Sequence, residues 1–146
     1  MRDLWPTDIQ VSPEILPVTP LVEQAMLLAT HTGNLVKGEV FPVENNSSDG
    51  VFHFDFDLVV KLLDYRFTLL HLRYGVEGYP ASIFPYSKVC DELGLVDYRN
   101  VFGRHALALD AQDETQLLEA LDSVLNSRTT RDILKTLMTQ AQQFKR

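Results

Sequence analysis

The chain has 146 residues, of which 45% are hydrophobic and 23% are charged, as is usual for globular domains. A chain of this length buries roughly 70% of the surface that its unfolded form exposes, so folding requires neither a disulfide nor a structural metal. Its 20 acidic and 13 basic side chains give a formal charge of −7. This excess of acid disfavours nucleic acid and anionic membranes as partners. It would suit a protein partner of basic charge, but solubility alone is the simpler interpretation of the acidity.

The compartment is predicted from cysteine content and hydropathy. Cys90 is the only cysteine, which excludes an intramolecular disulfide and a cysteine-rich zinc site. No run approaches the ~20 apolar residues of a membrane span, and the first residues lack the apolar segment of a signal peptide. We therefore expect a cytoplasmic protein that does not contact a membrane.

Residues 1–18 are predicted to form an extended arm, followed by a single α+β domain over residues 19–146. Four of the seven prolines lie in the first twenty residues, where they prevent regular helix and remove donors from a central strand. We expect the arm to pack across its own domain, with a partner subunit as the alternative. This expectation rests on its apolar residues: Leu4, Trp5, Ile9, Val11, Ile15 and Leu16.

A helix follows the arm. Thr19 as N-cap and Pro20 in the first turn predict its start, and Gly33 predicts its end. A strand over residues 35–43 and a turn-forming loop over residues 44–50 come next. The residues of the helix predicted to face the core are Leu21, Val22, Ala25, Met26, Leu28 and Ala29.

Residues 52–74 alternate between apolar and polar and predict a half-buried β-hairpin. In residues 52–60, every second side chain, beginning with Phe52, would face the helices. A turn with an odd number of residues, for example 63–65, would place Asp57 opposite His71 and Asp55 opposite Arg73. On the second sheet face this register exposes three apolar side chains that the arm or a second subunit should cover: Val59, Phe67 and Leu69.

The remaining elements complete the fold class. Residues 79–85 predict an edge strand because they contain two prolines. A helical turn is predicted at residues 88–93 and a loop at residues 98–103. A fully buried strand is predicted at residues 104–109. Asp113 with Gln116 forms a capping box before one amphipathic helix, and Ser127 caps another. The order predicts an α+β fold, an antiparallel β-sheet of about 4–5 strands with one N-terminal and two C-terminal helices packed on one face.

The hairpin carries the densest group of reactive side chains: His53, Asp55, Asp57, His71 and Arg73. Alternate residues of one strand lie roughly 7 Å apart on the same face. Two carboxylates and two imidazoles so placed could bind a divalent cation or carry out acid/base chemistry. The interpretation that we favour is a solvated sheet face with cross-strand ion pairs, each contributing ~0.2–1 kcal/mol.

Other candidate groups have simpler interpretations. Lys88 would lower the pKa of the Cys90 thiol, but the adjacent Asp91 and Glu92 would raise it, so a buried, inert thiol is expected. Arg104 and His105 could bind an anion, although a position at the border of the sheet is the simpler interpretation. The common nucleotide, hydrolase and metal motifs are absent from the sequence, so we expect no cofactor and no metal. The last forty or so residues, with an acidic helix start, SRTTR between the two helices and a polar end, resemble small bacterial proteins in their pattern, but the resemblance implies no functional residue.

The leading expectation is a non-enzymatic protein that acts through protein–protein interaction, such as an immunity-type or accessory protein. It would work by electrostatic steering and occlusion. One alternative is a metal-dependent or acid/base enzyme using His53, Asp55, Asp57 and His71. The other is a self-assembling homodimer joined through Phe67, Leu69 and the arm. The acidic residues expected at the interface of the leading hypothesis are Asp55, Asp57, Glu77, Asp91, Glu92 and Asp97.

Overall fold

A computed structural model describes residues 1–44, 49–95 and 107–145. It confirms the predicted α+β fold: a five-stranded antiparallel sheet in which each strand pairs with the next along the chain. The strands are β1 Lys37–Pro42, β2 Phe52–Val60, β3 Tyr65–Tyr74, β4 Ala81–Pro85 and β5 Leu109–Ala111. The helices are α1 Val18–His31, α2 Ser87–Glu92, α3 Glu114–Leu125 and α4 Arg128–Phe144.

The hydrophobic core lies between the helices and one face of the sheet. Each large apolar side chain that is fully buried there stabilises the fold by about 1.5–3 kcal/mol. No helix in the described ranges is long and apolar enough to cross a membrane. The sheet residues that are fully buried in this core include Phe56, Leu58, Val60, Leu70, Leu72 and Ile83.

Helix α1 begins earlier and buries less than predicted. Its N-cap is Pro17, so the predicted cap at Thr19 is wrong; the Thr19 hydroxyl instead donates to the carbonyl oxygen of Pro13. The predicted core stripe is also wrong at two positions, since Val22 and Met26 are 41% and 74% exposed. Only a narrow strip centred on Leu21 and Ala25 meets the core, because β1 is the main element against which α1 packs.

The arm does not pack across its own domain, so that expectation is wrong. Pro17 is the first buried residue of the chain. Proline removes the backbone donors that an arm would need to pair with a sheet edge, and a 3₁₀ turn at Pro13–Ile15 leads directly into α1. The apolar arm residues that remain exposed are Leu4, Trp5, Ile9, Val11, Ile15 and Leu16.

Two strands differ from the prediction. β4 lies between β3 and β5, so the predicted edge strand is wrong; Pro80 precedes it and Pro85 ends it, so neither proline interrupts the middle of a ladder. In the described part of the predicted strand at residues 104–109, strand structure starts only at Leu109, the first residue of β5. Arg104, His105 and the loop predicted at residues 98–103 lie outside the described residues.

Asp113 and Ser127 cap the two C-terminal helices as predicted, but the Gln116 side chain accepts from the backbone N–H of Gln112 at 2.8 Å and so does not close a capping box with Asp113. The Asp113 carboxylate accepts a hydrogen bond from the backbone N–H of Gln116 at 2.9 Å. The Ser127 hydroxyl accepts from the backbone N–H of Thr130 at 3.1 Å. Such caps satisfy N–H groups that have no partner within the helix and typically contribute about 1 kcal/mol each. The buried residues of these two helices are Leu117, Ala120, Leu121 and Val124 in α3, with Thr130, Leu137 and Ala141 in α4.

A glycine sets the close approach of α1 to β1. A Cβ atom at Gly38 would lie 2.7 Å from the Cα and 2.9 Å from the Cβ of Ala25. Since real Cβ atoms do not approach so closely, any larger residue at this position forces the helix away from the sheet.

We therefore expect Gly38→Ala to destabilise the protein by about 1–3 kcal/mol, the usual cost of overpacking. The matched control is Gly75→Ala, because a Cβ atom at Gly75 meets no other atom within 4 Å. Urea denaturation of both variants measures the difference. Equal midpoints for the two variants would show that the packing of α1 on β1 is not as close as described.

Candidate functional site on the second sheet face

The register of the β2–β3 hairpin decides which polar side chains meet. Val60 pairs with Tyr65 across a connection of four residues, 61–64, so the predicted odd turn is wrong. The register then shifts by one at a β-bulge, where Leu69 is the extra residue between Thr68 and Leu70. A bulge of this kind leaves one residue unpaired and changes which strand residues lie opposite each other.

The resulting pairs differ from the predicted ones. Asp55 lies opposite His71, His53 opposite Arg73, and Asp57 opposite Thr68. The predicted partners of the two aspartates, His71 for Asp57 and Arg73 for Asp55, are therefore wrong. The even turn and the bulge compensate each other, so the polar residues of both strands still share one face of the sheet.

The bulge also removes the predicted apolar patch from this face. Leu69 is completely buried, and Phe67 packs edge-on against Tyr86 with 4.9 Å between ring centroids. Both side chains belong to the helix side of the sheet. The expectation that they lie exposed is wrong, and a homodimer contact built on them loses its basis.

Near the turn, Asp57 belongs to an internal ionic network. Its side chain is 1% exposed and accepts hydrogen bonds from Arg66 at 2.9 Å and Thr68 at 2.7 Å. Arg66 also contacts Glu39 at 2.5 Å and lies 5.3 Å from the ring centroid of Phe41. The contacts with Asp57, and then with Glu39, raise the pKa of Arg66. Asp57 therefore serves the structure and is not accessible to a substrate or a partner.

At the open end of the hairpin, two imidazoles lie between two carboxylates, an arrangement that we call the imidazole chain. His53 Nε2 lies 3.0 Å from Asp49 Oδ2. His53 Nδ1 lies 2.9 Å from His71 Nε2, and His71 Nδ1 lies 2.9 Å from Asp55 Oδ1. The hydrogen bond to His53 is the main reason that the pKa of Asp49 is lowered. The side chains of Asp55 and both histidines are partly exposed, between 22% and 28%.

Arg73 extends this group towards β4. Its guanidinium lies 5.2 Å from the ring centroid of Phe84, and the same ring lies 6.0 Å from that of His71. On the next strand pair, the Ser82 hydroxyl donates to Asp110 at 2.6 Å. The candidate residues His53, Asp55, His71 and Arg73 thus form one neighbourhood, whereas Asp57 belongs to the separate network around Arg66.

The geometry of this neighbourhood does not suit a metal ion. In the described ranges, no three side chains of histidine, cysteine, aspartate or glutamate are arranged to hold one. The facing nitrogens of His53 and His71 are 2.9 Å apart. Two nitrogens on a tetrahedral metal at ~2.1 Å would lie about 3.4 Å apart. Hydrogen bonding, not metal coordination, explains their distance.

Five of the six acidic residues expected at an interface are described by the structure, and these five do not form one surface. Asp55 and Asp57 lie on the second sheet face, whereas Asp91 and Glu92 belong to α2, which packs beside α4 on the helix side. Glu77 is exposed in the connection between β3 and β4. Asp97 lies outside the described residues.

Glu92 has a structural role that the sequence did not reveal. Its carboxylate accepts from the backbone N–H groups of Arg128 and Thr129, both at 2.7 Å, and from the Thr129 hydroxyl at 2.8 Å. These bonds, led by that from the Thr129 backbone, lower the pKa of Glu92. The carboxylate places a negative charge at the N-terminus of α4, where the helix dipole favours it.

Cys90 is a buried thiol, as expected. Its Sγ donates to the carbonyl oxygen of Pro85 at 3.3 Å, and only 2% of the residue is exposed. Burial, and secondarily the charge of Asp91, raises the pKa of the thiol. A raised pKa reduces the thiolate population, so Cys90 is a poor nucleophile.

Comparisons with family models, with curated proteins and with solved structures give no match to this chain.

The Glu92 contacts predict a pH-dependent stability. Because the folded-state pKa of Glu92 lies below its ordinary value of 4.5, the stabilisation is present above that pH and is lost as the pH falls through the folded-state pKa. We expect Glu92→Gln to lower the melting temperature at pH 7, and the difference from the unsubstituted protein to shrink in acid below pH 4.5.

Asp91→Asn is the matched control for this prediction, since it removes the neighbouring exposed carboxylate of the same helix. Thermal denaturation followed by circular dichroism at several pH values measures both variants. A Glu92→Gln protein as stable at pH 7 as Asp91→Asn would contradict the capping role.

Proposed function

We propose that this protein is non-enzymatic and acts by binding another protein through residues 1–27, which we call the N-terminal segment. The observation that carries the proposal is where exposed apolar side chains lie. Within the described ranges, ten of the sixteen exposed large apolar residues belong to this segment: Met1, Leu4, Trp5, Ile9, Val11, Ile15, Leu16, Val22, Met26 and Leu27.

The clustering of these side chains in one segment is a stronger indication of a binding site than their exposure alone. Single exposed apolar residues are normal in monomeric proteins, whereas contiguous groups mark interaction sites. Val22 and Met26 are one helical turn apart and so lie on the same side of α1. Tryptophan and methionine are enriched in interfaces, and tryptophan often contributes most of the binding energy. The segment therefore has the composition of a binding surface.

The charge of the segment favours a different protein as its partner over a second copy of this chain. It contains four acidic residues and a single basic one, Arg2. Two copies packed through the same segment would bring like charges together, which disfavours association. A partner with an apolar groove and a basic rim fits both properties. An immunity-type inhibitor or an accessory protein would act in this way, by steering and then occluding a basic partner.

An acid/base enzyme is a second candidate because of one specific contact. Asp55 accepts a hydrogen bond from His71 at 2.9 Å, and a carboxylate that orients an imidazole is a recurrent feature of acid/base catalysis. A hydrolase substrate panel tests it. Turnover that is lost in His71→Gln and kept in Asp110→Asn supports this candidate, and absence of turnover opposes it.

The interaction proposal predicts that the partner is lost when the segment is changed. We expect the double variant Trp5→Ala, Met26→Ser to bind its partner at least about thirtyfold more weakly, because an interface hot spot contributes about 2 kcal/mol or more. Val76→Ser and Leu118→Ser are matched controls, since both residues are exposed but lie outside the segment. The partner is first captured from a lysate of the native host and identified, and its affinity for each purified variant is then measured.

Light scattering of the isolated protein accompanies this measurement. A monomer that binds its partner only with an intact N-terminal segment supports the proposal. A stable dimer that the double variant dissociates would replace it with self-association. Equal affinity of all variants for the identified partner would place the interface elsewhere.

A further inference from the structure

All four ring nitrogens of the imidazole chain are engaged in close polar contacts. Each end nitrogen meets a carboxylate, His53 Nε2 that of Asp49 and His71 Nδ1 that of Asp55. The two inner nitrogens meet each other at 2.9 Å. All three contacts have hydrogen-bond lengths, and a hydrogen bond at each of them requires one hydrogen between its two atoms.

The number of protons follows from these contacts. An ionised carboxylate can only accept, so both end nitrogens must carry hydrogen. In the inner contact one nitrogen donates and the other accepts, which adds one further hydrogen. The four nitrogens thus carry three protons, whereas two neutral imidazoles carry only two. Hydrogen bonding at all three contacts at once therefore requires one imidazolium in the pair.

Adding a proton to the pair of imidazoles, or removing one from it, breaks a particular contact. A fourth proton would direct the N–H of His53 Nδ1 and that of His71 Nε2 at each other over 2.9 Å. With only two protons, one end nitrogen would direct its lone pair at a carboxylate. Only the singly protonated pair satisfies all three contacts together.

The charges around the pair are compatible with one added proton. Two carboxylates, Asp49 and Asp55, flank it, and the partial burial of the two rings limits their contact with water and so strengthens their hydrogen bonds. From β3, Arg73 lies opposite His53 but is stacked on Phe84. From β1, Glu39 is engaged by Arg66. The neighbouring residues of β4, Ser82 and Phe84, carry no charge, and Asp110 of β5 is bonded to Ser82.

We propose that the imidazole chain is a proton-binding site in which His53 and His71 hold a single proton in common. This proposal goes beyond protein binding and does not depend on it. The shared proton connects Asp49, in the segment before β2, to Asp55 and His71 in the paired strands. Asp49 is the more exposed end of the chain, 52% against 24% for Asp55. Loss of the proton therefore releases the Asp49 contact first, because water replaces it there.

Ring nitrogen NMR of the full chain labelled with ¹⁵N-histidine tests this site between pH 4.5 and 9. We expect the signals of His53 and His71 to change together in two shared steps, since coupled groups titrate as a pair. His31 at the exposed end of α1 lies outside the imidazole chain and is the internal reference. In His71→Gln, His53 should lose its two-step behaviour and follow a single step.

A second pair of variants keeps the test decisive if His71→Gln does not fold. Asp55→Asn removes the negative charge at one end of the chain and should alter the steps of both histidines. Asp110→Asn removes a carboxylate of the same sheet face outside the chain and should leave them unchanged. Independent single steps for His53 and His71, unaffected by Asp55→Asn, would overturn the proposal.

Discussion

The β-bulge at Leu69 determines which side chains of β3 face the core and which face the second side of the sheet. Side chains of a strand alternate between the two faces of a sheet, so a shift of one residue exchanges the faces completely. The four-residue connection between β2 and β3 starts the hairpin in one register, and Leu69 shifts it by one. Without this extra residue, His71 and Arg73 would point into the core, and Leu70 and Leu72 would point away from it.

Two separate polar networks result from this arrangement, one on each side of the bulge. Near the turn, Asp57 is buried and its charge is balanced by Arg66. At the open end, Asp49 and Asp55 bind the two histidines. The carboxylates therefore serve mainly internal contacts, as Glu92 does at the start of α4. Acidic residues in a sequence therefore need not form an acidic surface in the folded protein. The exposed apolar residues of the N-terminal segment are a stronger indication of a partner than the negative charge is.

The fold class was predictable because its signals are local. The alternation in residues 52–74, the cap at Asp113 and the cap at Ser127 all depend on neighbours a few residues away. The hairpin register was not predictable, because it depends on a turn conformation and a bulge that alternation does not reveal. The prolines in residues 79–85 suggested an edge strand, but Pro80 and Pro85 lie at the two ends of β4 and so do not interrupt its pairing on either side. Asp49 was missed because its loop has no periodic pattern, and the role of Glu92 depends on a contact with a distant helix.

The bulge is tested by measuring the cross-strand register of β2 and β3 in solution from backbone nuclear Overhauser effects. We expect contacts that link Asp57 to Thr68 on one side of the bulge and Asp55 to His71 on the other, with the register changing at Leu69. A single constant register along the whole hairpin, with Asp57 opposite His71, would contradict it. The imidazole chain would then have to be abandoned, since His53 and His71 would no longer be neighbours across the two strands.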